Sequence, residues 1–389
     1  MTQATALGAS YIVAARRTAL GRPGGLHKCR RIDSLTAPVV QAALQDAHLD
    51  VGAVEEIILG NTTAGDNPAR IVGLAAGLGD GVPALTVDRQ CASGLDAILL
   101  GMRAVALGEV NVVVAGGAES LSTAPWRVAR PRSIFQTPRF MGFEPEDGDG
   151  AEAPHSVVAS EELARRLGIT RDRQDSYTLH SHLKAERAAS ERRFVGEIVP
   201  LRMAPAEARD EGAGVADIDD LAALSPLLPP DGTHTSGNTS VPHDAAAIVV
   251  IVSAQVHADL GAPRSLKLLA SSTQGVGSAE EARAPVTALE KVLQANGGFS
   301  RKHLDLVEMS ETSAAQALAL SDAFDLDDEL SPDGGALARG HPLGAASAVS
   351  VVRLFTAMAR SQQGRRPQFG AVTQGAIGGL GVAALFEAV

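Results

Sequence analysis

Apolar and polar positions fall into two alternating patterns along the 389-residue chain. Short, nearly unbroken apolar runs rich in Val, Ile and Ala stand at 11–15, 112–115, 245–253 and 369–373. Runs of that length predict strands, and the longest of them, at 245–253, fits a strand buried on both faces. Elsewhere the apolar residues recur at helical spacing. Leu95, Ile98, Leu99, Met102, Val105 and Ala106 form one such stretch, and Val349, Val352, Leu354, Phe355 and Met358 another. Both predict buried helices. The longest apolar run, at 245–253 (AAAIVVIVS), is too short to cross a bilayer, so no membrane span is expected.

The pattern repeats at an offset of 250 residues. The segment from Val54 (VEEIILGNT) corresponds to that from Leu304 (LDLVEMSET), Cys91 to His341, and Gly94 to Gly344. Each half continues through its helical stretch into a strand that closes on glycines, Gly116-Gly117 in one and Gly378-Gly379 in the other. The opening strands at 11–15 and 266–270 correspond as well. Internal repetition of this kind fixes the architecture before any motif does. The chain reads as α/β, with two similar halves at 1–120 and 245–389 separated by an inserted segment at 121–244. Strand-to-glycine junctions put backbone amides beside helix N-termini, where ligands bind, and the repeat predicts one composite site.

The inserted segment lacks the repeat and is richer in Pro, Arg and acidic clusters. It holds one amphipathic helical stretch at 161–193 and a Pro/Gly-rich run at 226–237. An insertion of this size over one face shapes a substrate site, a tolerated surface elaboration being the competing reading.

Composition narrows the class. With 45% hydrophobic but only 3% aromatic residues, the cores are aliphatic and extensive disorder is excluded. A net charge of −11 argues against a protein whose work is non-specific nucleic-acid binding. Two cysteines, Cys29 and Cys91, make neither a disulfide framework nor a metal finger, so no metal site is expected. The first ten residues lack a basic head followed by an apolar run, and a cytoplasmic location is expected.

Cys91, in VDRQCASGLD, stands at the start of its helix, where free amides and the positive dipole end are expected to lower the thiol pKa. A buried, inert cysteine is the alternative. His341, in GGALARGHPLGAA, starts the equivalent helix in the other half. If the two helix starts converge, Cys and His fit the logic of an activated nucleophile and its base. His27, Lys28 and Cys29 read as a surface loop, and His180, His182 and His303 as solvated helix faces. His243, in SVPHD, reads as a loop histidine, and the arginines 127, 130, 132 and 139 as an exposed run or a contact for phosphate groups of a ligand or for a neighbouring subunit.

At the level of motifs the chain resembles the thiolase family over nearly its whole length. The segments that carry the resemblance are ARRTALGRPGG, DNPAR, CASG, GGAES, GITRDRQDSYTLHS, SGNTS and GGALARGHPLGA. The resemblance implies the thiolase fold, a duplicated five-layer α-β-α-β-α arrangement with an inserted loop domain, and an acyl-CoA C-acyltransferase using CoA as substrate, with no other cofactor. It places the acylated nucleophile at Cys91 and the activating histidine at His341. It places His155 in the substrate pocket, Thr239 and Ser240 beside the CoA pantetheine, and Gly378 in an oxyanion hole with the Cys91 amide. It also implies a homodimer or homotetramer.

Two departures stand out. Where the family has a second cysteine, the acid/base for C2 of the second acyl-CoA, this chain reads Ala376 in QGAIGGLG, and no cysteine follows Cys91. Where the family reads N-E-A-F, this chain has SETS, with Ser310 in place of the asparagine of the other oxyanion hole. Loss of one aligned donor costs ~3–4 kcal/mol of transition-state stabilisation, and loss of a general base about 10²–10⁴-fold in rate. Both fall on condensation and spare acylation. The reading is an acyltransferase that forms an acyl-enzyme on Cys91 and passes it to CoA or to a second acyl-CoA, with a decarboxylating donor as a variant. The alternative is a non-catalytic or condensation-impaired paralogue that binds acyl-CoA beside a partner subunit.

Overall fold

A computed structural model describes residues 8–141, 156–201, 209–212, 217–297, 299–360 and 366–389. The first half runs β1 (Ser10–Arg17), α1 (Ile32–Asp46), β2 (Glu56–Gly60), α2 (Pro68–Ala75), β3 (Ala84–Val87), α3 (Ser93–Leu107) and β4 (Val112–Glu119). The inserted segment adds a short hairpin, β5 (Val128–Ala129) and β6 (Arg139–Phe140), then α4 (Ser156–Leu167), α5 (Arg171–Ser190) and α6 (Ile218–Ala222). The chain returns as β7 (Ala245–Ser253) and leaves through α7 (Ala254–Asp259). The second half runs β8 (Leu266–Gly275), α8 (Ala284–Ala295), β9 (Leu306–Met309), α9 (Ala314–Phe324), α10 (Ala336–Arg339), α11 (Leu343–Phe355), β10 (Phe369–Ala376) and β11 (Leu380–Ala388).

The strand order is β3-β2-β4-β7-β1-β8-β11-β10-β9. β1 and β8 meet only at Tyr11–Lys267 and Ile12–Leu266, so two sheets touch at a corner. Read outward from that corner, the orders match strand for strand, with Leu330 bridging Val307 of β9 where β3 flanks β2. This is the repeat in three dimensions.

Consecutive residues of the buried strands face different layers, which is why the strands are apolar throughout. Val114 and Ile248 meet Leu35 and Val39 of α1 and Val72 of α2 on the outside of the first sheet. Val113 and Val249 face inward to Leu95, Ile98 and Met102 of α3. Val372 and Phe386 of the second sheet close the same inner layer over Val349, Val352 and Leu354 of α11. Ala371 and Leu385 face outward to Leu289 of α8 and Leu320 of α9. The layers are therefore α-β-α-β-α. The two windows apolar and long enough by composition to cross a membrane, Gln90–Leu107 and Leu343–Arg360, are mostly buried here in the central layer.

Three expectations change. The strand at 245–253 was assigned to the second half, but β7 lies hydrogen-bonded between β4 and β1, so the division falls after α7 rather than at 245. β7 is equivalent to β11, and the insertion takes the place of the tight β10–β11 turn. The stretch at 161–193 is two helices, because Thr170 caps α5 by accepting from the Arg173 amide. His182, expected in solvent, is buried, as is His27, whose ring bonds Ala19 O at 2.9 Å.

A buried ionic cluster ties the insertion to both halves. Arg17 of β1 and Arg353 of α11 both bond Glu197, Arg353 also bonds Asp333, and Arg17 bonds Asp210. Phe194 packs beneath the guanidinium groups of Arg17, Arg339 and Arg353. Such clusters add little net stability, since desolvation offsets attraction, but breaking one partner is costly.

Candidate active site

Small residues let the two central helices approach at their N-termini. A Cβ on Gly94 would lie 2.8 Å from that of Ala348 and 3.0 Å from the Gly344 carbonyl, so no side chain fits there. Ser347 Oγ accepts the Leu95 amide at 2.9 Å. Glu119, at the end of β4, is buried and accepts the Gly344 amide at 3.0 Å, together with Asn61 Nδ2 and the Thr62 and Thr63 hydroxyls. These bonds hold the start of α11 against the first half, while burial holds the Glu119 pKa up.

Cys91 stands two residues before Ser93, and His341 two residues before Leu343, each just outside its helix. His341 Nε2 lies 3.1 Å from Cys91 Sγ. On the other side of the ring, Nδ1 lies 2.8 Å from Ser310 Oγ. With Nδ1–H donating to Ser310, Nε2 is left to accept the thiol proton, the tautomer a base requires. Ser310 thus does what the sequence did not suggest, orienting the histidine.

The expected lowering of the thiol pKa is corrected. Burial pushes the Cys91 thiol up to about 12, and the nearby Glu119, Glu281 and Asp88 carboxylates add to it, against a lowering by its own backbone amide. Burial likewise pushes His341 down to about 4, with His243 lowering it further. A helix terminus contributes typically 0.3–1 kcal/mol, roughly, and does not offset burial of this degree. Burial therefore favours a neutral thiol facing a neutral imidazole in the resting pair.

The end of the insertion clasps this pair. The His341 amide donates to Val241 O and its carbonyl accepts the His243 amide, each at 3.0 Å. Just upstream, Thr239 bridges Ser313, and the Ser240 amide donates to Thr312 O at 3.0 Å. Thr239 Oγ1 is buried without a hydrogen-bond partner. Ser310 and His341 thus stand in series with Cys91, and Thr239 and Ser240 pair with the segment just after Ser310. His155 lies outside the described residues. His243 packs against Gly340, whose φ of +117° and distance of 2.4 Å from the ring to a built Cβ both demand glycine.

The β10–β11 turn closes the site from the second sheet. Ala376 ends β10 with its methyl group in the inner layer, which also holds Ala92. The Gly378 amide donates to Glu281 Oε2 at 2.9 Å. Glu281 sits in a 3₁₀ turn, Ser278–Arg283, and is itself buried. Sequence reasoning passed over it, since an AEEAR run reads as solvated; its one signal was closeness in sequence to the buried start of α8. Among the described residues no group of three or more His, Cys, Asp or Glu is placed to hold a metal ion.

The arrangement can take up an acyl group: a thiol, a base, a group orienting the base, and backbone amides close by. The family model described as the thiolase N-terminal domain matches residues 10–255, and that of the thiolase C-terminal domain residues 264–388. An acetyl-CoA acetyltransferase of Pseudomonas aeruginosa is 36% identical, the match covering 96% of this chain and 97% of that one. One from Escherichia coli strain K12 is 35% identical over 97% and 98% of the two chains. Among solved structures, the Bacillus anthracis acetyl-CoA acetyltransferase superposes with a TM-score of 0.90 at 30% identity, covering 99% of this chain and 100% of its own. Human mitochondrial 3-ketoacyl-CoA thiolase, solved with CoA, gives 0.90 at 28% identity and 99% of both chains. The chain belongs to the thiolase family and is an acyltransferase built on that fold.

Proposed function

We propose that the protein takes an acyl group from acyl-CoA onto Cys91 and passes it to CoA or to a second acyl-CoA, by thiolytic cleavage or Claisen condensation. The observation that carries this reading is the hydrogen-bonded series Cys91 Sγ, His341 Nε2, His341 Nδ1 and Ser310 Oγ. His341 accepts the thiol proton as Sγ attacks the thioester carbonyl, so the thiolate exists only during attack. The imidazolium then returns that proton to the departing CoA thiolate. With both groups neutral at rest, the proton moves when acyl-CoA is bound, which limits reaction with other electrophiles.

Thr239 and Ser240, just upstream of the residues that bond His341, line the approach for the pantetheine arm in this reading, and CoA is substrate and product rather than a resident cofactor. Self-association as a homodimer or homotetramer is part of the proposal. Support comes from the β5–β6 hairpin region, where Trp126, Ile134, Phe135 and Phe140 are largely exposed on a protein with few aromatics.

Intact-protein mass after mixing with a panel of acyl-CoAs tests the central claim. A mass gain equal to one acyl group, absent in Cys91→Ala and slowed at least ~10²-fold in His341→Ala, is expected. A chain that gains no acyl group from any member of the panel would refute it.

A further inference from the structure

Condensation needs a base at C2 of the second acyl-CoA, and the residue at 376 is an alanine with nothing to ionise. Glu281, from the neighbouring 3₁₀ turn, places a carboxylate on the amide of Gly378, two residues beyond Ala376. Its Oε2 accepts the Gly378 amide at 2.9 Å, and its charge reaches Cys91. The backbone around it is fixed from two sides. The Val276 amide donates to Gly379 O at 2.7 Å, and the Ala284 amide closes the 3₁₀ turn on the Glu281 carbonyl. The carboxylate is therefore buried at the β10–β11 turn, on the amide two residues beyond Ala376, and on a segment pinned to that turn.

We propose that Glu281 is the acid/base of the carbon–carbon step, in the place that Ala376 leaves without one; this rests on the acyl-transfer reading above. With Cys91 acylated, a Glu281 oxygen takes a proton from C2 of the second acyl-CoA. The C2–H electron pair becomes the enolate double bond, and the thioester π pair moves to its oxygen. The enolate C2 attacks the acyl carbon on Cys91, forming the C–C bond. Collapse of the adduct breaks the C–S bond, and the Cys91 thiolate takes the proton back from the Glu281 carboxylic acid. Protons and electrons balance with no further reactant. In the reverse direction the protonated Glu281 gives its proton to C2 of the departing enolate.

In the free protein the carboxylate accepts the Gly378 amide, a charge-assisted bond that holds one of its oxygens at the β10–β11 turn.

The test follows exchange of the C2 hydrogens of acetyl-CoA with solvent deuterium by mass spectrometry, alongside acylation of Cys91 in the same full-length protein. Wild-type protein exchanges. Glu281→Gln lowers the ratio of exchange to acylation by at least ~10²-fold, the scale of a lost general base. Glu281→Asp, which keeps a carboxylate, exchanges faster than Glu281→Gln. No exchange in wild-type protein that acylates Cys91 overturns the role of Glu281 and leaves acyl transfer standing. Exchange in Glu281→Gln as fast as wild type, or faster, also overturns it, the faster case marking the carboxylate as an occluding group. Glu281-dependent exchange without acylation by any acyl-CoA supports the base and refutes the acyl-transfer reading.

Discussion

Cys91 and His341 stand 250 residues apart, at equivalent positions in the two halves, and meet with Sγ 3.1 Å from Nε2. The residue before each has a positive φ, +51° at Gln90 and +117° at Gly340, so the backbone turns sharply ahead of both helices. Duplication thus built a two-residue site by placing one position of the repeat opposite itself and giving it two side chains. Neither half holds the nucleophile and its base together.

Ser310→Ala leaves the imidazole without its Nδ1 partner. Loss of one such hydrogen bond, worth ~1–1.5 kcal/mol, is expected to slow acylation of Cys91 about tenfold. Stopped reactions read by intact mass give the rate, and thermal unfolding checks that the fold is kept. Acylation at the wild-type rate would mean that the tautomer is set by other contacts.

Alkylation reports the protonation of Cys91. A thiol pushed up to about 12 is almost wholly protonated at pH 7, and its thiolate fraction rises roughly tenfold per pH unit below that value. Iodoacetamide labelling of Cys91, followed by peptide mass mapping, is therefore expected to accelerate steadily from pH 7 to pH 10. The exposed Cys29 is expected to label first at neutral pH. A plateau in the Cys91 rate below pH 8 would show a preformed thiolate.

Burial of Cys91 reverses the direction of pKa shift that its helix position suggested in sequence, and the reason is physical. Helix position is visible in a sequence, whereas the degree of burial that outweighs it is a property of the whole fold. The repeat was legible because apolar spacing and glycines recur, and it placed Cys91 opposite His341 correctly. The boundary at 245 was not, because an apolar strand reads alike in either sheet; only hydrogen bonding to β1 and β4 assigns β7. His182 was assigned to solvent and Glu281 passed over for a shared reason: polar neighbours in the chain say nothing of what packs against a side chain from elsewhere.

Gly340→Ala probes the clasp around His341. The added Cβ would fall 2.4 Å from the His243 ring, in a backbone conformation that L side chains rarely adopt. Overpacking costs about 1–3 kcal/mol and a strained φ a similar amount, so destabilisation of ~2–5 kcal/mol is expected. Because the neighbouring segment bonds both the amide and the carbonyl of His341, acylation is expected to fall with stability. Denaturant unfolding and intact mass measure the two, and a variant as stable as wild type would refute the close packing.

The last prediction sets Ala376 against Glu281. If position 376 were simply vacant, Ala376→Cys would raise C2 exchange strongly in wild-type protein, and Glu281→Gln would change little. If Glu281 already supplies the base, a thiol at 376 adds less than ~3-fold to wild type yet restores exchange at least ~10-fold in Glu281→Gln, since either group suffices for one proton transfer. The two sites then couple, and the effects of the single variants do not sum to that of the double variant. Both backgrounds are read by deuterium uptake into acetyl-CoA, with acylation of Cys91 as the internal reference. The first pattern would mean that this chain acylates but condenses poorly; the second, which the Glu281–Gly378 contact favours, means that the carbon–carbon step survives the loss of the cysteine on a carboxylate from a neighbouring turn.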